Sequence, residues 1–176
     1  MNLVIANRQR KKKINPRVLK EIVGELFGEL KITEAELGIN LVGTREMTLI
    51  NETFLQHEGS TDVITFDHRA VVAQASSLCV PKSKNATHRR DACATTLHGE
   101  LFVCVDEAIL QAKQFNTNWR VEVVRYIVHG VLHLLGYDDL KPHLRREMKR
   151  EENRLVRQLA KRFSLAQLSR TAKLKA

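Results

Sequence analysis

HGVLHLLGYDD, residues 129–139, is the stretch from which the rest of the chain is read. His129 and His133 stand at i and i+4, so on an α-helix both imidazoles leave one face and reach a single ion. Gly136 comes next and can adopt the left-handed conformation that ends a helix and turns the chain back. Beyond that turn Asp139 can supply a third ligand. Two imidazoles and one carboxylate form an open site with room for a water. A metal held there lowers the pKa of that water and gives a nucleophile near neutral pH.

A plainer reading treats the two histidines as satisfied core residues. The helix expected over residues 118–135 is apolar nearly all round, with Val121, Val123, Val124, Ile127, Val128, Val131, Leu132, Leu134 and Leu135. Such a helix is buried, and buried histidines need partners; a metal supplies two at once. The glycine turn and the acidic pair Asp138–Asp139 favour the metal. Zinc peptidases carry His-Glu-x-x-His with the Glu as general base. Gly130 stands at that Glu position here, so ordinary proteolysis is not expected, although Asp139 falls at the last position of the longer metzincin spacing.

Taken together, these residues resemble the signature of the YbeY endoribonucleases, or rRNA maturation factors: His-Gly-x-Leu-His-Leu-x-Gly-Tyr-Asp-His. STDVITF (60–66) is similar to the family's Pro-Thr-Asp-Val-Leu-Ser-Phe, and INETF (50–54) to its Leu-Asn-x-x-Tyr. GELFVCVDEA (99–108) resembles its Gly-Asp-Ile-x-Ile strand, and MKREENRL (148–155) its Met-x-x-x-Glu-Glu run. The resemblance implies a four-stranded sheet with helices around it, a metal at one end, and single-strand-specific RNA cleavage in rRNA maturation. Three departures stand out. Asp139 replaces the third family histidine; its negative charge makes the ion a weaker Lewis acid. Phe54 and Leu55 occupy the place of a Tyr-Arg pair, so the charge that would stabilise a phosphate transition state has to come from elsewhere. The segment between the two central strands is longer than usual.

Composition is consistent with this. The chain has 176 residues, enough for one domain with a real core, and a formal net charge of +9. Such a balance points to a polyanionic partner, nucleic acid first, or else to a merely basic solvated surface. Aromatics make up only 5% and form no RNA-stacking strand, so contacts to RNA would be mostly to backbone phosphates. The three cysteines, Cys79, Cys93 and Cys104, have no Cys-x-x-Cys spacing, and an odd count suits a reducing compartment. The apolar start before Arg8 is too short for a secretory signal, and no run approaches a membrane span. A cytoplasmic protein without membrane contact is expected.

Along the chain, residues 2–6 read as a strand, followed by the basic run Arg8, Arg10, Lys11, Lys12 and Lys13, which is either a solvated loop or an RNA contact. Asn15–Pro16 starts a helix to about Lys31. Residues 38–43 form a second strand, and Thr44 caps a helix carrying Met47, Ile50 and Phe54. Strands come next at 62–66 and 100–105, then a helix from Asp106 to about Phe115, the histidine helix, and a last helix from Pro142. On that last helix Leu144, Met148, Leu155, Val156 and Leu159 face inward. Strands interleaved with helices give an α+β fold, with about five helices on a mixed sheet. The single domain is expected over 1–160, with an inserted loop at about 69–97 and a basic tail over 161–176. A loop of that length is either disordered or functional. Its Lys82, Lys84, Arg89 and Arg90 could form a basic flap on RNA, while Cys79, His88 and Cys93 lack zinc-knuckle spacing.

The function expected is a zinc-dependent endoribonuclease acting on rRNA or ribosomal precursor particles, with one zinc ion held by His129, His133 and Asp139. Asp138 is either a partner orienting a histidine or a cap of the next helix. Thr61 and Asp62 serve the fold or the site, and His143 is a spare ligand or simply exposed. The alternatives are a non-catalytic ribosome-assembly factor with a bound metal, a metal-dependent hydrolase of another substrate, or an iron oxygenase with the same ligand set.

Overall fold

The computed structural model describes residues 1–69 and 95–169. Strand β1 (Asn2–Asn7) leads to helix α1 (Pro16–Glu29), whose first turn is prepared by Pro16 and by Asn15, whose side chain accepts from the amides of Arg17 and Val18. Strand β2 (Ile32–Val42) returns parallel to β1. Helix α2 (Thr44–Ile50) runs on into a π-helical turn, Asn51–Leu55, before strand β3 (Val63–Asp67). After β4 (Thr95–Cys104) come α3 (Val105–Gln114), α4 (Trp119–Leu134), α5 (Pro142–Arg162) and a 3-10 turn, Leu165–Ser169. The sheet order is β1-β2-β4-β3, with β1, β2 and β4 parallel and β3 antiparallel on the far edge. This is the expected α+β arrangement, with five α-helices among the described residues.

The two faces of the sheet differ, as period-two alternation requires. Leu37, Ile39 and Leu41 of β2 pair in register with Gly99, Leu101 and Val103 of β4 and are buried in the main core with α1, α4 and α5. On the other face, Asn40 Nδ2 donates to Glu100 Oε1 at 2.7 Å, and His98 lies 3.5 Å from Glu36. A smaller apolar cluster there joins Val42, Met47, Ile50, Ile64 and Cys104.

Several boundaries depart from expectation. Strand β2 starts at Ile32 because Glu34 and Glu36, residues normally scarce in strands, alternate outward while Ala35 and Leu37 face in. Ile32 pairs with Thr95, so residues 95–97, expected in the inserted loop, already belong to β4, and Leu97 is fully buried. Residues 70–94 of that loop, with Lys82, Lys84, Arg89 and Arg90, lie outside the described residues. Gly43, not Thr44, is the N-cap of α2; the Asp106 carboxylate accepts from the Thr44 amide at 2.9 Å and from its hydroxyl at 3.0 Å. The π-helical turn rotates Phe54 off the face shared by Met47 and Ile50, leaving it 63% exposed and edge-on to Phe66. The start of the basic tail is packed: Leu165 and Leu168 are buried, and the Leu168 carbonyl accepts from the Asn15 amide.

Helix α4 crosses the sheet against β3 and β4 and is flanked by α3 and α5. Contact is tight at Gly130, where a Cβ would come within 2.7 Å of Leu101 Cδ2 and 3.3 Å of Val63 Cγ2. That approach sets the depth of the histidine-bearing turn.

Two glycines separate packing from propensity. At Gly99 a Cβ would meet the Phe66 carbonyl at 2.6 Å, whereas at Gly24 on α1 it would meet nothing within 4 Å. Gly99→Ala is expected to cost about 1–3 kcal/mol, and Gly24→Ala to gain about 0.5–1 kcal/mol, both read from urea unfolding. Equal effects of the two would contradict this packing. Asp106 gives a pH test. Burial works against its ionisation, but the Thr44 amide, Lys11 and the Thr44 hydroxyl outweigh it and hold its pKa below the usual carboxylate value. A carboxylate depressed in the folded state contributes stability above its unfolded pKa, which is lost as pH falls through the folded value. Asp106→Asn should therefore cost about 1 kcal/mol at neutral pH, and the gap to the parent should close in acid.

Candidate metal centre

His129 and His133 sit on the last turns of α4, and the turn beyond the helix completes the site. Gly136 takes φ +89°, its amide donates to the His133 carbonyl at 2.9 Å, and the Tyr137 amide reaches the Leu132 carbonyl at 3.0 Å. This is a Schellman ending, which a residue with a Cβ disfavours. It brings the Tyr137 carbonyl 3.0 Å from His133 Nδ1 and returns Asp139 to the helix end. One donor atom from each of His129, His133 and Asp139 then lies within 4.8 Å of the others.

The far nitrogens of the two rings determine what the near ones present. His133 Nδ1 faces a carbonyl, which can only accept, so Nδ1 carries the hydrogen. His129 Nδ1 lies 3.1 Å from Glu152 Oε2, and that carboxylate fixes the same tautomer. With Nδ1–H engaged in this way, Nε2 is the ring nitrogen left to ligate in each histidine, and the two Nε2 atoms are 3.0 Å apart. Facing lone pairs repel unless a cation lies between them. Two nitrogens bound tetrahedrally to zinc would stand about 3.3 Å apart. The donor chemistry fits a metal, with Asp139 as a third ligand.

Glu152, which sequence reasoning did not single out, lies on α5 and is 3% exposed. Burial works against its charge, but hydrogen bonds from His129, Lys149 (2.8 Å) and Arg125 (2.6 Å) prevail and bring its pKa down to about 2. A signal was present: Glu152 shares helical spacing with Met148, Leu155, Val156 and Leu159, so a carboxylate stands in the inward stripe. Asp138 makes a different contact. Its Oδ1 accepts from the Leu140 amide at 3.0 Å, bracing the turn, and it makes no hydrogen bond to either imidazole among the described residues. Lys141 is the N-cap of α5, so Asp138 does not cap that helix, and His143 is exposed in its first turn.

His129 and Asp139 form part of the wall of a cavity of about 680 Å³ that extends to Asp62, Tyr126 and Arg145. Asp62 Oδ1 is held by the Val63 amide at 2.8 Å and the Thr61 hydroxyl at 3.1 Å. Tyr126 is buried; burial first, then the nearby Asp62, pushes its hydroxyl pKa up. The N-terminal basic run is elsewhere. Arg8 pairs with Glu46 at 2.7 Å, Lys11 with Asp106 at 3.1 Å, and Lys12 lies over the Trp119 ring. Trp119 opens α4, about 15 Å along the helix from His129. Arg10 and Lys13 are exposed, and Arg89 and Arg90 lie outside the described residues.

Two variants test this centre. Glu152→Gln should lower divalent-metal affinity about 10–100-fold, read by competition with a coloured chelator. His133→Ala should abolish stoichiometric binding and remove the metal-dependent rise in Tm. Stoichiometric metal in His133→Ala would show the site to be misplaced.

The endoribonuclease YbeY profile matches residues 4–160 of the chain. The chain is 29% identical to an endoribonuclease YbeY of Chlorobium luteolum, over 90% of its own length and 98% of that protein. It is 30% identical to one of Frankia alni, over 89% and 81% of the two chains. The solution structure of TM1509 from Thermotoga maritima aligns over 99% of both chains with a TM-score of 0.59 at 19% identity, a likeness of fold. The profile runs from β1 through the three donor residues into α5, and the chain belongs to the endoribonuclease YbeY family.

Proposed function

We propose that this protein is a zinc-dependent, single-strand-specific endoribonuclease that acts in rRNA maturation and ribosome assembly. The observation that carries this reading is the pair of Nε2 atoms 3.0 Å apart, with Asp139 beside them and a cavity alongside. Structural zinc sites are usually closed by four protein ligands; here three are on offer among the described residues. A bound zinc supplies Lewis acidity and a water that ionises near neutral pH. Glu152 and the Tyr137 carbonyl keep both imidazoles in the ligating tautomer. Asp139 lowers the net charge of the site, which softens its pull on a phosphate oxygen relative to three imidazoles.

The partners in this reading are rRNA or ribosomal precursor particles in the cytoplasm. No helix among the described residues is long and apolar enough to cross a membrane. Exposed Arg10 and Lys13 would meet RNA through phosphates, remote from the metal, and Arg89 and Arg90, outside the described residues, are further candidates for phosphate contacts. A second reading, an RNA-binding assembly factor around a bound metal, draws on Leu55, which is 43% exposed and carries no charge where the family resemblance implies an arginine.

Metal analysis followed by cleavage separates the two. Purified protein should carry one zinc and cut a single-stranded RNA, and a chelator should stop the reaction until zinc is restored. A duplex of the same sequence should be cut at least about tenfold more slowly. RNA binding without cleavage at full zinc occupancy would favour the assembly factor.

A further inference from the structure

Three cationic side chains line the cavity beside His129 and Asp139: Arg125, Arg145 and Lys149. Two are already engaged. Arg125 pairs with Glu152 at 2.6 Å and with Glu122 at 3.4 Å, and Lys149 pairs with Glu152 at 2.8 Å. Arg145 differs. Its Nε donates to the Asp139 carbonyl at 3.0 Å, and its two terminal nitrogens make no hydrogen bond or ion pair among the described residues. Its backbone is fixed as well, since its amide donates to the Lys141 carbonyl at 2.9 Å. The guanidinium is therefore tethered by one nitrogen to the backbone of a metal-donor residue, and the rest of its fork is open. A tethered, planar, permanently charged fork is the side-chain chemistry that grips a phosphate through two parallel hydrogen bonds.

The charges around it create a need for such a group. Asp139 and Asp62 line the same cavity, and a phosphodiester entering it adds another negative charge.

We propose that Arg145 binds the non-bridging oxygens of the phosphodiester seated at the metal centre, so that it is a phosphate-contacting residue as well as a brace for the Asp139 turn. The proposal rests on the endoribonuclease reading. Arg145 exchanges no proton and forms no covalent bond; it offsets charge that is greatest in the transition state.

The test uses the full-length, zinc-loaded protein as parent, Arg145→Ala, Arg145→Lys and, as a control from the exposed face of the same helix, Arg146→Ala. Each is measured for zinc content, kcat and KM on single-stranded RNA, and affinity for uridine 5′-monophosphate. Arg145→Ala should lose about 100-fold in kcat at unchanged zinc content, bind the nucleotide more weakly, and regain activity when free guanidinium is added. Arg145→Lys keeps the charge without the fork and should fall between, while Arg146→Ala should match the parent. A brace alone would not be rescued by guanidinium, so absence of rescue overturns the proposal. Parental kcat and nucleotide affinity in Arg145→Ala would overturn it too. If Arg145→Ala loses zinc, Arg145→Lys at full occupancy decides: a loss near tenfold supports the contact, and none refutes it. A parent that binds the nucleotide through Arg145 but cuts no RNA would sink the nuclease reading and leave the phosphate contact standing.

Discussion

The Glu152 carboxylate, buried in the wall of the site, is the group on which the arrangement around it depends. A charge at 3% exposure survives only if its oxygens are occupied, and Lys149, Arg125 and His129 occupy them. Those partners come from two helices: Arg125 and His129 from α4, Lys149 from α5 with Glu152 itself. Satisfying one carboxylate therefore clamps α4 to α5 and fixes the tautomer of His129 in the same act. The Schellman turn does the equivalent for His133 from the other side, with the Tyr137 carbonyl. Neither ring is free to turn its Nε2 away, which is the preorganisation a metal site needs.

Gly130 shows why this helix differs from that of the zinc peptidases although the histidine spacing is shared. The residue after the first histidine lies hard against the sheet, 2.7 Å from Leu101 to a notional Cβ. A glutamate there would be driven into Leu101 and Val63 and could not face the metal. The absence of that general base is thus a consequence of how α4 packs, and the acidic groups that reach the cavity stand at other positions: Asp62 before β3, Glu122 near the start of α4, Asp139 beyond its end and Glu152 on α5.

Much of this was legible from spacing. The i, i+4 histidines, the glycine that ends their helix and the Asn-Pro start of α1 each encode a local backbone geometry, and local geometry is what sequence patterns report. Long-range partners were less visible. The π-helical turn at Asn51–Leu55 breaks the helical period that grouped Phe54 with Met47 and Ile50, and no local residue announces it. The early start of β2 was hidden because Glu34 and Glu36 read as loop until their outward alternation is seen against β4. The basic run at Arg8–Lys13 reads as either a solvated loop or an RNA contact, and its pairing of Arg8 with Glu46 and of Lys11 with Asp106, both distant in sequence, is not visible in it. Glu152 could have been found, because a carboxylate in an apolar stripe needs partners, and the neighbouring helix already offered a histidine at the matching height.

Whether two imidazoles and one carboxylate hold a single ion can be read from X-ray absorption at the edge of the metal in the purified protein. The donor set predicts a nitrogen and oxygen shell at about 2.0–2.1 Å with the multiple scattering of two imidazoles. A sulfur shell at about 2.3 Å, or a shell without imidazole scattering, would contradict it.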